Sequence, residues 1–389
     1  MEESKNKGLG RSGVIRLIVI GVLILIAGLA FSHGVGQLLK KDAGYMAIEC
    51  TASAANLGDQ FVLIYNLGES GIDPTKENKQ ITMLYNEMMV RYYRLFSVYE
   101  TFEELNNMAS INAAPGEPVT VDAPLYDSLK LMTEKGGRYI YMGPVYELYE
   151  NIYYSSYDED AAYWDPAENP EMASYLEELL EYINSGEHIS LELGEDNTVT
   201  LHISPEYLAF AEENGISRFL DLGWMENAFV ADLFAGDMTE AGFTAGSITS
   251  LDGYARCFDA TGEEYHLDIF DMRQEDLKST GTLSYSMPAA FCTLRSFALE
   301  DIENELWMYT YESGKPVTRY ISSEDGYPHD GYTAVTGYSD SSSAAEILLS
   351  ILPYYQSGNM DEMTDERIGA VWSNGINTSV KELAGFTFK

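Results

Sequence analysis

Residues Leu17 to Ala30, LIVIGVLILIAGLA, form a run without a single charge. Extended through Phe31 to Gly36, the run reaches the roughly 20 residues that cross a bilayer core. Lys5, Lys7, Arg11 and Arg16 precede it, against Glu2 and Glu3. Basic residues beside a first helix hold that side in the cytoplasm. The layout predicts a cytoplasmic basic tail over residues 1–16, a transmembrane anchor over 17–36, and an external chain from residue 42. A cleaved leader begins the same way. No clean small-x-small site closes the run, and Cys50 follows Ala47, Ile48 and Glu49 rather than a lipoprotein box. The run therefore reads as an uncleaved anchor.

Beyond the anchor the charge changes sign. Residues 1–41 hold 6 of the 23 Lys and Arg and 2 of the 62 Asp and Glu, leaving 17 against 60 and a formal charge of −43 on the rest. Such a surface repels nucleic acid and anionic headgroups. The hydrophobic fraction of 46% is ample for a packed core. The spacing of Cys50, Cys257 and Cys292 fits no zinc motif and no disulfide framework, and it leaves a single Cys257–Cys292 bridge open. The five histidines are scattered, with no pair at metal-ligand spacing on a helix.

Hydrophobic periodicity predicts a strand at 60–67 and a long amphipathic helix at 80–98. After a loop rich in Asn and Pro, Asp122 is placed to cap a helix over LYDSLKLMTE. Residues 147–170, rich in Tyr, Asp, Glu and Pro, read as an irregular protruding insertion. A helix follows from Pro170 to Asn184, then a hairpin of HISLEL and TVTLHI. The helix PEYLAFAEEN ends on Gly215, and a further helix falls within 221–240. Strands follow at 246–251, 253–258, 264–270, 283–287, 290–297 and 306–311. The last helix runs from Ser342 to Leu352, stopping before Pro353. Helices and antiparallel strands mix without a strict βαβ order, so the fold class is α+β.

Several segments, in order, resemble the ApbE family of FAD:protein FMN transferases. Leu57-Gly58-Asp59 is similar to the family's Met-Gly-Thr, and residues 95–131 to its Phe-Ser, Asn-rich loop and following helix. Met142-Gly143-Pro144 is similar to Val-Gly-Pro. Residues 220–232, LDLGWMENAFVAD, resemble DLGGIAKGYAVD. Phe291-Cys292-Thr293 stands where the family has TSG, and SAAEILLSIL resembles its ADALST helix. The resemblance covers about residues 50–389.

It implies an extracytoplasmic ApbE-like domain, with FAD and Mg²⁺ as cofactors. The implied activity is Mg²⁺-dependent transfer of FMN from FAD to a threonine of an acceptor protein at the outer membrane face. It assigns Gly58, Gly143, Asp232 and Thr293 to flavin nucleotide binding. The metal positions, a backbone carbonyl of GGIAKG and the Asp and Thr of ADALST, fall on Glu226, Glu346 and Ser350. No catalytic residue is assigned. Departures are equally specific. Trp224 and Asn227 replace a Gly and a Lys of GGIAKG, residues 136–141 lack the family's Asp, and Arg319 and Ser322 replace its His and Asp. The alternative reading is a non-catalytic relative, a membrane-anchored module that binds flavin, another ligand or a protein. The 29 tyrosines suit recognition by stacking or ordinary packing. Carboxylates are too abundant for any hydrolytic pair to stand out.

Overall fold

The computed structural model describes residues 41–51, 57–274, 276–297 and 308–389. The anchor expected at 17–36 lies outside the described residues. Among the described residues, no helix is long and apolar enough to cross a membrane.

The first described element is β1 (Gly44–Ile48), and β2 (Phe61–Leu67) follows. Then come α1 (Pro74–Phe96), α2 (Met108–Asn112), β3 (Pro118–Thr120), α3 (Ala123–Lys135), α4 (Gly143–Tyr153), α5 (Asp158–Trp164) and α6 (Pro170–Asn184). The hairpin β4 (Ile189–Leu193) and β5 (Thr198–Ile203) leads to α7 (Pro205–Asn214) and α8 (Glu226–Glu240). Five strands follow: β6 (Gly246–Ser250), β7 (Tyr254–Cys257), β8 (Tyr265–Arg273), β9 (Asp276–Tyr285) and β10 (Ala289–Arg295). The last elements are β11 (Met308–Thr310), β12 (Pro316–Thr318), β13 (Ala334–Ser339), α9 (Ala344–Ser357), β14 (Gly369–Ser373), β15 (Thr378–Lys381) and β16 (Thr387–Phe388).

One eight-stranded sheet, in the order β1-β2-β6-β7-β10-β13-β14-β15, organises the molecule. Every neighbouring pair in it is antiparallel. Alternation of side chains along the strands β7, β10, β13 and β14 builds a core on both faces of the sheet. Cys292, Leu294, Val335 and Ala370 pack into the main core with α8 and α9. Cys257, Phe291, Tyr338 and Val371 point the other way, beneath Ile269 and Leu283 of the small sheet β16-β9-β8. Cys257 and Cys292 thus stand on opposite faces, and both thiols are free.

Two expectations are corrected. Residues 147–170 do not protrude. They form the end of α4, all of α5 and the turn into α6, and Tyr149, Ile152 and Ala161 are buried. Tyr146, Tyr149 and Tyr153 are three and four apart, so helical geometry places them on one inward face. Asp158, Glu159 and Asp160 occupy the first turn of α5, where the helix dipole favours acids. The second correction is α9, which runs through Pro353 to a left-handed Gly358. Proline removes one backbone hydrogen bond, but burial of Tyr355 on the following turn holds the helix together.

Candidate functional site

The end of α1 and the loop after it are fixed by asparagines. The Asn107 amide donates to the carbonyls of Arg94 (2.9 Å) and Glu100 (2.8 Å). It also forms a reciprocal capping box with Ser110. Asn112 pairs with the backbone of Leu220 through both amide groups, donating to its carbonyl at 2.9 Å and accepting its N–H at 2.8 Å. A side chain thereby holds the irregular segment 217–222 as a strand neighbour would.

That segment carries a buried ion network. The Arg218 guanidinium makes two parallel hydrogen bonds to Glu150, at 2.7 and 2.8 Å, and pairs with Asp221 on its other side. Tyr99 donates to Glu150 at 3.1 Å and lies 5.2 Å from the guanidinium, ring to cation. Gly223 then turns the chain with φ +54°, and a Cβ there would meet the Tyr146 ring. Only glycine meets both demands. Trp224 is buried and packs edge-on to Tyr320, with centroids 5.3 Å apart.

A cavity of about 290 Å³ opens beside this turn. Leu57, Gln60, Ser97, Tyr99 and Asn227 are among its walls, so three of the segments that resemble the flavin-transferase family close around one space. Tyr93, Phe96, Tyr154 and Trp224 complete its aromatic lining, and Arg218, Asp221 and Glu226 are its charged residues. Among the described residues, the Glu226 carboxyl has no hydrogen-bond or ion-pair partner. Burial pushes it up to about 8, with Asp221 and Asp252 adding to the shift and Arg218 opposing it.

The seven residues assigned from the sequence do not converge. Glu226 lines the cavity. Gly58 sits in the single helical turn 57–60, where a Cβ would meet the Cys50 sulfur. Gly143 begins α4, where a Cβ would meet the Arg218 carbonyl, so it permits a backbone crossing just behind the cavity. Asp232 accepts the N–H groups of Ala344 (2.8 Å) and Ala345 (2.9 Å) at the start of α9 and pairs with Arg256 at 2.7 Å. Glu346 closes the capping box of α9 with Ser343 and lies 2.5 Å from the Lys135 ammonium. Ser350 is half-buried one turn further on. Thr293 lies within the sheet, its hydroxyl 3.0 Å from that of Thr336 on the paired strand. Sequence reasoning missed Glu150, Arg218, Tyr93, Tyr99 and Tyr154. The available signal was Arg218 itself, a rare basic residue three positions before Asp221 in an apolar stretch.

The donor set as arranged does not fit Mg²⁺, which demands near-ideal octahedral oxygen geometry. The charges acting on Glu226 are Asp221, Arg218 and Asp252, whereas those acting on Glu346 are Lys135 and Arg367. Among the described residues, no group of three or more His, Cys, Asp or Glu is placed to hold a metal ion. Nor does the cavity fit a pyrophosphate, because its one basic residue, Arg218, is already shared by two carboxylates.

No family model matches the chain, and no curated protein matches its sequence. Solved structures do. The ApbE protein of Thermotoga maritima superposes with a TM-score of 0.58 at 15% identity, covering 87% of this chain and 97% of that one. The flavin transferase ApbE of Vibrio cholerae gives a TM-score of 0.55 at 14% identity, over 90% of this chain and 97% of its own. The architecture expected from the scattered motifs is therefore the observed one, and the chain is a divergent protein of the ApbE fold.

Proposed function

We propose that this chain is a membrane-anchored, extracytoplasmic binding protein of the ApbE fold, which takes a small ligand in the cavity beside Gly223 and does not transfer FMN. One observation carries the reading. The segments equated with the family's flavin-contacting motifs still enclose a cavity, while the carboxylates equated with its nucleotide and metal contacts, Asp232 and Glu346, hold α9 in place instead. Pockets of this kind, with apolar walls and a few convergent polar groups, are ordinary small-molecule sites.

The second reading is Mg²⁺-dependent FMN transfer from FAD to a threonine of an acceptor protein at the outer membrane face. Glu346 and Ser350 favour it, since both are oxygen donors one helical turn apart. In that reaction the threonine hydroxyl attacks the FMN phosphorus, the P–O bond to AMP breaks, and the hydroxyl proton leaves to a base. Full-length protein in detergent, incubated with FAD, Mg²⁺ and a threonine-containing acceptor peptide, separates the two. No release of AMP and no flavin on the peptide is the expected result. Mg²⁺-dependent appearance of both would establish the transferase.

A further inference from the structure

The walls of the cavity specify a charge for what they hold. Arg218 is the one basic residue among those that line it, and its guanidinium faces two carboxylates, Glu150 and Asp221. That network carries a formal charge of −1 before Glu226 is counted. Glu226 adds a carboxyl with no partner among the described residues. A phosphate or carboxylate entering here would meet uncompensated negative charge, which is strongly unfavourable away from water. A neutral ring would leave Glu226 holding the proton that burial favours, whereas a cation beside it stabilises the ionised carboxylate and draws that proton off.

The aromatic residues supply the complementary half. Phe96 is buried against the cavity, and Tyr99 and Tyr154 remain 70% and 66% exposed. Large rings left in water around an acidic recess are the usual construction for recognising organic cations, because ring faces attract ammonium groups within about 6 Å. Hydrated metal ions need several oxygen donors converging on one point, and Gln60 and Asn227 instead bond each other at 2.9 Å.

We infer that this cavity accepts the head of an organic ammonium ligand, with Glu226 as counter-ion and Tyr93, Tyr99 and Tyr154 as the surrounding rings. The inference rests on the reading of the cavity as a ligand site and narrows it to one chemical class.

The probe is benzyltrimethylammonium, with benzyl alcohol as its uncharged counterpart. Both are titrated calorimetrically into full-length protein in detergent at about pH 9, where Glu226 is ionised, and at about 0.15 M salt, which screens the acidic surface at large. The expected result is saturable binding of the ammonium and at least tenfold weaker binding of the alcohol. Glu226→Gln should weaken ammonium binding at least tenfold, whereas Glu104→Gln, at an exposed site, should not. Thermal unfolding without ligand checks that each variant is folded. Equal binding of the two probes, or ammonium binding unaffected by Glu226→Gln, would overturn the inference. FAD binding that is lost in Tyr99→Ala, with the ammonium silent, would overturn it and leave the ligand site standing. If no probe binds, including FAD, both readings fall.

Discussion

The Lys135 ammonium lies 2.5 Å from the Glu346 carboxylate, tying the last turn of α3 to the first turn of α9. Glu346 also accepts the Ser343 N–H at 3.1 Å, so one carboxylate closes both a cap and an ion pair. The two roles are separable. Lys135→Met removes only the pair, which is about one-third exposed, and should cost less than about 1 kcal/mol. Glu346→Ala removes the capping contact as well and should cost about 1–2 kcal/mol. Urea denaturation of the two variants and their double mutant tests this. Equal losses would show that the cap contributes nothing.

Asp232 should behave as a structural residue. It accepts two backbone N–H groups from α9 and neutralises Arg256. Asp232→Ala should lower stability by about 2–3 kcal/mol, since charge-assisted bonds are stronger than neutral ones. Asp232→Asn keeps one acceptor and should cost roughly half as much. A variant at wild-type stability that loses ligand binding would return Asp232 to the site.

Arg218 is expected to be the most sensitive polar position. Arg218→Met would leave Glu150 and Asp221 buried without a counter-charge, a loss of about 3–5 kcal/mol. An unfolding free energy from chemical denaturation within about 1 kcal/mol of wild type would show that water reaches the network freely.

Glu226 gives the protein a pH signature. An unfolded glutamate titrates near 4.3, whereas burial pushes the Glu226 carboxyl up to about 8. The folded state therefore holds the proton more tightly. Its stabilising effect is full below about pH 4 and is lost as pH rises through 8. Glu226→Gln should match wild type near pH 5 and exceed it at pH 8.5 by about 1–3 kcal/mol, after allowing for partial exposure. Parallel loss of stability in both proteins over pH 5–8.5 would refute the assignment.

The fold was legible because its signals are local. Ser204 caps α7 with Gly215 beyond its end, and the run ISLEL, turn, TVTLHI has one hairpin reading. Residues 147–170 were misread because polar composition outweighed the helical spacing of their tyrosines. The site was less legible, and the reason is physical. Position on a helix does not reveal what a carboxylate faces, so Asp232 and Glu346 looked available for ligands until their backbone and lysine partners were in view. Arg218 and Glu150 are 68 residues apart, and no periodicity links them. Trp224 and Asn227 depart from the family's turn in the sequence itself, but the gathering of Tyr99, Arg218 and Glu226 beside that turn is visible only in the packing.

The two-faced core of the large sheet has a redox consequence. Cys257 and Cys292 are near neighbours along adjacent strands, yet a full layer of backbone insulates one sulfur from the other. No oxidant can join them without dismantling the ladder between β7 and β10. A domain built this way needs no oxidative maturation step at these thiols, and its unfolding midpoint should be the same in dithiothreitol as in air.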